Sequence, residues 1–505
     1  MPLFNSIISW LTVKRLQQIN WYKLYPQEIQ NEVLFQLIKE CEETEFGILH
    51  SFHSIQSIRD FQKQVPIHDY ESLKPYIDRI REGEQNILWH SPIKWFAKSS
   101  GTTNDKSKFI PVSKEALENC HFRGGRDTIL LYNHNYPDSE LWKGKSLALG
   151  GSHQISKISM DSYFGDLSAI LIQNMPFWAQ FYRTPDLSVA LMDEWEEKIQ
   201  KIAEITSGER VVSLAGVPSW TLVLLKKMLE MYNKNNVLEI WPNLELFVHG
   251  GVSFTPYREQ FKAIIPSEKM RYMETYNASE GFFAIQDNPA TDDMLLMLDV
   301  GVFYEFIPLE NIDSPNREAC ILSDIDIGKQ YAIVITTNAG LWRYIIGDTI
   351  VFTSKNPYKI KITGRIKHFI NAFGEELMVD NADHALAEVC KRTGAKIREY
   401  TAAPIYMNEN SQGGHEWLIE FEQQPQNIQQ FAELLDNQLK ALNSDYEAKR
   451  YKDMTLQFPK VHIAPDGTFY NWLKQKGKLG GQHKIPRLAN NREYIDDILQ
   501  LIKNC

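Results

Sequence analysis

Three β-like runs between Arg210 and Gly281 each deliver a polar turn bearing glycine, and this repetition limits what the chain can fold into. Val211-Val212-Ser213-Leu214-Ala215 ends at Gly216, and Leu244-Glu245-Leu246-Phe247-Val248 ends at His249-Gly250-Gly251. Met270–Glu274 ends at Thr275-Tyr276-Asn277-Ala278-Ser279-Glu280-Gly281. Between the first two runs, Ser219–Tyr232 has helical spacing and Pro218 stands early in it, a place proline favours. Strand, helix, strand implies a parallel pair with a right-handed crossover. Ligands of open α/β sheets sit beyond the carboxyl ends of the strands, so the pattern predicts an α/β fold with its site at these turns.

The 505 residues, 43% hydrophobic and 23% charged, suffice for about two or three domains with a large core. A net charge of -10 argues against a general affinity for nucleic acid or anionic membrane. Cysteines 41, 120, 320, 390 and 505 form no CxxC pair and are odd in number, which favours a reducing, cytoplasmic setting and disfavours a structural zinc site. The apolar patch within Met1–Leu11 is too short to span a bilayer, and no positive region or cleavage site frames it as a signal.

Trp21–Arg81 reads as a helical layer, with Val33, Leu34, Leu37 and Ile38 on one stripe. Gly165–Trp178 has helical spacing, and residues 282–360 are rich in β-like runs, notably Gly301–Ile307, Tyr331–Thr337 and Lys359–Thr363. Beyond Gly364 the texture changes. Asn381–Arg392 is an amphipathic helix stopped by Gly394, and Ile428–Leu442 is a second one. Glu416–Glu422 alternates as a half-buried strand, and Asn408–Gly414 looks like an exposed loop. We therefore expect a large domain over 1–363 and a small α/β domain over 364–505.

Four further stretches carry chemistry. Phe96 to Ser113 contains Ser99-Ser100-Gly101-Thr102-Thr103 and then Lys106 and Lys108 between two β-like runs. Small hydroxylated residues bring N–H and O–H groups close to anionic oxygens, and a lysine adds charge where phosphates gather. Such a run also serves as an ordinary hairpin loop, and it lacks the Walker pattern. Glu280, beside Ser279, suits a Mg²⁺ ion shared with phosphate oxygens, and Tyr276 is of a size to lie flat against a purine or to fill a core. Asp348, after Gly347 at a strand end, suits both ribose hydroxyls, while Arg365 after Gly364 suits a phosphate or a ribose. His249 reads as a buried, hydrogen-bonded side chain. Lys474–Arg487 is a basic, glycine-bearing loop: a solvated charge run, or a mobile loop that carries a lysine into a site.

Taken together and in order, these pieces resemble the acyl-adenylate-forming superfamily that includes luciferases and acyl-CoA ligases. More narrowly, the chain resembles a bacterial-type member of the Gretchen Hagen three (auxin-responsive) family of acyl-acid amido synthetases. Ser99–Lys108 resembles that family's phosphate loop, Tyr276-Asn277-Ala278-Ser279-Glu280 its Tyr-x-x-Ser-Glu motif, and Arg343–Asp348 its ribose motif ending in Gly-Asp. Gly364-Arg365-Ile366-Lys367 resembles the superfamily's hinge, and Gln482–Arg487 extends the likeness downstream. The resemblance implies a large acyl-adenylating domain with an additional β subdomain, a small mobile C-terminal α/β domain, and a hinge near 364–367. It implies ATP and Mg²⁺, a small carboxylic acid, and an amine that is normally an amino acid's. By position, Ser99, Ser100, Gly101, Thr102, Thr103 and Lys108 would hold phosphates. Gly250, Gly251, Tyr276, Ser279, Asp348 and Arg365 would complete the nucleotide site. Glu280 would bind Mg²⁺, and Lys484, with Lys478 as runner-up, would be the catalytic lysine. Asn104-Asp105 depart from the small residues usual in the plant enzymes.

An ATP-dependent acid–amine ligase leads this reading. A thioester-forming ligase with the same first step stands behind it, as does a nucleotide-binding protein without catalysis that acts by interaction. A phosphotransferase, which would release ADP, is an outsider. Nothing in the sequence points to a nucleic-acid, membrane or obligate protein partner.

Overall fold

The computed structural model describes residues 2–99, 108–149, 156–157, 162–192, 195–251, 254, 257–312, 314, 317–366, 369–370, 375, 377–405, 413–443, 446–447, 450, 456–477, 485–489 and 491–503. Strands β1 (Trp95–Ser99) and β2 (Lys108–Val112) form an antiparallel hairpin. With β4 (Ser156–Lys157) and β5 (Tyr163–Gly165) they make a small sheet in the order β2-β1-β5-β4.

The large sheet has 11 strands. Its parallel half comprises β3 (Lys145–Ala148), β6 (Arg183–Thr184), β7 (Val211–Gly216), β8 (Leu246–Gly250) and β9 (Arg271–Ala278). Its antiparallel half comprises β10 (Gly281–Ile285), β11 (Met294–Leu296), β12 (Val302–Pro308), β13 (Gln330–Thr337), β14 (Tyr344–Lys355) and β15 (Tyr358–Arg365). The order is β12-β13-β14-β15-β11-β10-β9-β8-β7-β3-β6. Strand β9 belongs to both halves, since it runs parallel to β8 and antiparallel to β10. On the parallel half Leu147, Leu214 and Phe247 pack with Leu222, Leu225 and Met228 of the Pro218–Met231 helix and with Phe261 of the Arg258–Ile264 helix. Apolar residues on the sheet thus meet an apolar stripe on each crossover helix, as a buried parallel sheet requires.

The N-terminal helices cover the antiparallel half. In Pro26–Glu40 the residues Leu34, Leu37 and Ile38 are buried, each by about 1.5–3 kcal/mol of apolar transfer. Gln30 lies on the same helix and is also buried. Its Nε2 donates to the carbonyls of Leu298 and Val302, and its Oε1 accepts from the Tyr304 amide. That satisfied amide fixes the helix on β12. A helix over Gly165–Trp178 was expected as one piece; the structure has Leu167–Gln173 and Phe177–Gln180, with Pro176 at the break.

The C-terminal domain has a three-stranded sheet, β18-β19-β20, after the short pair β16 (Phe369–Ile370) and β17 (Leu377–Met378). Here β18 is Lys396–Ile405, β19 Gly414–Gln423 and β20 Lys460–Ala464. The Val379–Thr393 helix buries Ala382, Ala385, Leu386 and Val389 and ends at Gly394, whose φ of 69° favours glycine. Strand β19 corrects the sequence reading of a half-buried strand. Trp417 and Ile419 face the Val379–Thr393 and Ile428–Leu442 helices, while Leu418 packs with Phe469, Trp472 and Ile498 of two later helices. The strand is therefore buried on both faces. The expected loop Asn408–Gly414 lies mostly outside the described residues. Among the described residues no helix is long and apolar enough to cross a membrane.

Candidate active site

The site forms where β9 passes from the parallel to the antiparallel half of the sheet, a place where neighbouring chain segments leave in different directions and open a crevice. Asp348 lies on β14 directly opposite Arg365 on β15. The Arg365 Nε is 2.7 Å from one Asp348 oxygen, and the Tyr276 hydroxyl donates to the other at 2.6 Å. Asp348 was expected at a strand end. It sits instead within β14, where residues 346–348 bulge out of the β13–β14 ladder. Gly347 takes a φ of 94° there, and its carbonyl accepts from the Ile366 amide. The bulge, not a strand end, turns the carboxylate toward Tyr276.

Tyr276 also differs from the turn residue expected. Strand β9 continues to Ala278, because β8 and β10 supply backbone partners for Thr275 through Ala278. Only Ser279 and Glu280 remain as the turn. The Tyr276 ring is 5% exposed and meets Phe283 edge-on at 5.0 Å, and nearby Asp348 joins burial in holding its hydroxyl pKa well above the ordinary range.

Glu280 is half-buried, and burial raises its carboxyl pKa while Lys108 opposes that rise. Ser279 is buried, and its Oγ has no hydrogen-bond partner. The Lys108 Nζ lies 3.5 Å from the Tyr344 hydroxyl and 5.6 Å from the centre of the Tyr70 ring. Arg365 is crowded by Asp348, Glu280 and Tyr276, and its pKa rises chiefly through Asp348. Its side chain nevertheless keeps 42% of its surface exposed.

Ser99 ends β1 opposite Lys108. Ser100, Gly101, Thr102 and Thr103 lie outside the described residues, as do Lys478 and Lys484. Gly250 ends β8 opposite Thr275, and a Cβ there would lie 2.5 Å from the Thr275 carbonyl oxygen. Gly251 follows with a φ of 80°. His249 is buried as expected and stacks on Phe254 at 4.2 Å, but its Nδ1 has no hydrogen-bond partner. Burial pushes its pKa down to about 3, so it is neutral. Arg123 Nη1 donates to the Asp299 carbonyl at 2.8 Å. Sequence reasoning overlooked Tyr344 and Tyr70; the signal for Tyr344 was its place inside the Arg343–Asp348 motif.

Lys108, Glu280, Asp348 and Arg365 thus converge from four chain segments. Two cations and two carboxylates suit a ligand with phosphates at one end and hydroxyls at the other. Glu280 and the orphaned Ser279 Oγ also fit a hard cation that shares phosphate oxygens. Among the described residues no group of three or more His, Cys, Asp or Glu could hold a metal by itself.

Known proteins show the same architecture. This chain is 23% identical to indole-3-acetic acid-amido synthetase GH3.3 of Arabidopsis thaliana, over 97% of this chain and 93% of that protein. It is 24% identical to jasmonoyl–L-amino acid synthetase JAR6 of Nicotiana attenuata, over 94% and 93% of the two chains. The solved structure of GH3.15 acyl acid amido synthetase superposes with a TM-score of 0.79 at 18% identity, covering 96% of this chain and 95% of that one. A 2-hydroxyisobutyryl-CoA ligase shares the fold with a TM-score of 0.59 at 13% identity, over 94% and 92%. Residues 15–270 match the GH3 family N-terminal domain, 295–365 its central domain and 380–493 its C-terminal domain, and the chain belongs to the GH3 family.

Proposed function

We propose that this protein is an ATP-dependent acyl-acid amido synthetase. The observation that carries this reading is the convergence of Lys108, Glu280, Asp348 and Arg365 on one cleft at the switch in the sheet. In the first step an oxygen of the acid's carboxylate attacks the α-phosphorus of ATP, the bond to the β-phosphate breaks, and pyrophosphate leaves. In the second an amine nitrogen attacks the acyl carbon, the carbon–oxygen bond to the phosphate breaks, AMP leaves and the amine gives up a proton. The named relatives support an amino acid as the amine, which favours amide over thioester formation.

In this scheme Asp348 accepts from the ribose hydroxyls while Tyr276 and Arg365 hold it in place. Tyr276 also borders the adenine beside Gly250 and Gly251. Lys108, Ser99 and the 100–103 segment hold phosphates, and Lys484 donates to the reacting group. Glu280, next to Ser279, would hold Mg²⁺, which neutralises phosphate charge when bound. We place the domain boundary at 363/364 and the hinge at 364–367, which includes Arg365. The free thiols of Cys41, Cys120, Cys320 and Cys390 support a reducing, cytoplasmic setting.

The test is acid-dependent exchange of labelled pyrophosphate into ATP over a panel of acids, with and without mixed amino acids. Exchange that needs an acid and disappears in Glu280→Ala supports the reading, and Lys484→Ala is expected to lower it by about 10²–10³-fold. Absence of ATP binding to the wild type would bring the reading down.

A further inference from the structure

Strand β6, at the edge of the large sheet, carries a buried charge that the chain leaves unpaired. Arg183 is 8% exposed, and its Nη1 is buried without a hydrogen-bond partner. The carboxylate whose charge reaches it is that of Asp186, and this group is taken up locally. It accepts from the Ser188 hydroxyl at 2.6 Å and from the Val189 amide at 3.2 Å. Among the described residues the other three buried arginines each meet a carboxylate: Arg343 with Glu305, Arg450 with Asp436 and Arg487 with Asp383. Arg183 stands apart from them. An arginine keeps its proton at neutral pH, so burying it without a counter-charge is strongly destabilising.

The strand register shows what stands beside it. Arg183 pairs with Ser146 of β3, and Ser146 pairs with Ser213 of β7. Paired residues share a face, so the three side chains form a row across three parallel strands. Leu147 and Leu214, one residue on, belong to the core on the opposite face. Neighbouring strands lie about 4.8 Å apart, within reach of an arginine side chain. Ser146 comes two residues before the end of β3, and Ser213 three before the end of β7. The row therefore lies just below the strand ends at which α/β sheets bind ligands.

We propose that Arg183, with the Ser146 and Ser213 hydroxyls, holds a small oxyanion, a carboxylate or a phosphate group, that supplies the missing counter-charge. A guanidinium presents its donors as a fork that matches two oxygens of such a group, and a hydroxyl can donate to a third. The group is either the far end of the acid that the ligase activates, which would make that acid a dicarboxylate, or a separate small anion. Only the first source rests on the proposed function.

The experiment compares the full chain with Arg183→Met, which removes the charge, and Arg183→Lys, which keeps the charge and loses the fork. Thermal midpoints are measured in anion-poor HEPES and with sodium phosphate or sodium acetate at matched ionic strength. Without added anion Arg183→Met should melt above the wild type, since an uncompensated charge is gone. An anion at about 100 times its Kd should raise the wild-type midpoint about 2–3 °C more than that of Arg183→Met, with Arg183→Lys between them. Phosphate bound beside Lys108 or Arg365 raises all three alike and drops out of the difference. Equal rises in the wild type and Arg183→Met overturn the proposal. So does an Arg183→Met midpoint below the wild type without added anion, which would reveal an internal counter-charge.

Pyrophosphate exchange then separates the two sources, with dicarboxylic acids set against monocarboxylic acids of equal length. A preference for dicarboxylates that falls roughly tenfold or more in Arg183→Met identifies the anion as the far end of the acid. No such preference, or one that survives in Arg183→Met while the midpoints differ, identifies a separately bound anion. A wild type without exchange defeats the functional reading alone, and the midpoints still decide the site.

Discussion

Asp348 and Arg365 stand opposite each other across the β14–β15 ladder, with the Arg365 Nε 2.7 Å from the Asp348 carboxylate. Arg365 is the last residue of β15, and the short strand β16 follows it in the chain. The pair thus ties the carboxylate proposed to bind ribose to the last strand of the large sheet in chain order. Asp348→Asn keeps the size and the Tyr276 contact but removes the charge that faces Arg365. Loss of one charge-assisted hydrogen bond costs about 1.5–3 kcal/mol, so the Kd for ATP should rise about 10- to 100-fold by calorimetry. An unchanged Kd would remove Asp348 from the nucleotide site.

Arg343 and Glu305 form a buried pair of another kind. Arg343 is 4% exposed and Glu305 1%, and they meet through two hydrogen bonds of 2.8 Å. Arg343 also donates to the carbonyls of Gln62 and Val65, so one guanidinium ties the helical layer to β12. Breaking a buried pair leaves the other charge uncompensated and costs about 3–5 kcal/mol, whereas replacing both partners with apolar groups can cost far less. Urea unfolding should show a large loss for Arg343→Met alone and a smaller one for Arg343→Met with Glu305→Leu. Equal losses would mean that the carbonyl contacts, rather than the ion pair, carry the tie.

Much of this architecture was legible where local and global signals agree. The Val379–Thr393 helix was read within two residues at either end because its apolar stripe and Gly394 say the same thing. The errors fall where tertiary partners override composition. Thr275 to Ala278 look like a turn, yet β8 and β10 complete their backbone hydrogen bonds and make them strand. Gly347 looks like a strand end, yet it forms a bulge inside β14. Strand β18 escaped notice because Tyr400 to Ala403 are buried without a break, so period-two alternation is absent. In the site, residue types suggested Lys108 and Glu280, but no spacing reveals that Lys108 meets Tyr344, 236 positions away.

The C-terminal domain should be sensitive to acid through Glu416. Burial, its largest influence, pushes this carboxyl up, but Arg492, His462 and Lys460 together outweigh it and leave the pKa at about 2. The contacts are 2.5, 2.6 and 3.2 Å. A depressed carboxyl pKa gives stability that is complete above the unfolded value of 4.5 and is lost as pH falls toward 2. The amount is on the order of 3 kcal/mol. Glu416→Gln should be less stable near neutrality and should show a shallower decline in stability between these pH values. A wild-type profile flat across that window would contradict the argument.

Gly250 offers a test that separates backbone strain from damage to the site. A Cβ at Gly250 would meet the Thr275 carbonyl oxygen at 2.5 Å and the Thr275 Oγ1 at 3.3 Å. The first contact is with backbone of the neighbouring strand, so Gly250→Ala must push β8 and β9 apart. Tyr276 follows Thr275, and its hydroxyl donates to Asp348, so the displacement reaches the carboxylate proposed to bind ribose. Overpacking of this kind costs about 1–3 kcal/mol, and here it should also weaken ATP binding. Gly83 is the control. It ends the Tyr70–Glu82 helix with a φ of 114° and open space around its Cα. Gly83→Ala therefore strains the backbone, by on the order of 1 kcal/mol, without a clash and about 20 Å along the helix from Tyr70. Thermal unfolding should fall in both variants, while the Kd for ATP should rise only in Gly250→Ala. A rise of similar size in both would show that general destabilisation, not the β8–β9 spacing, governs nucleotide affinity.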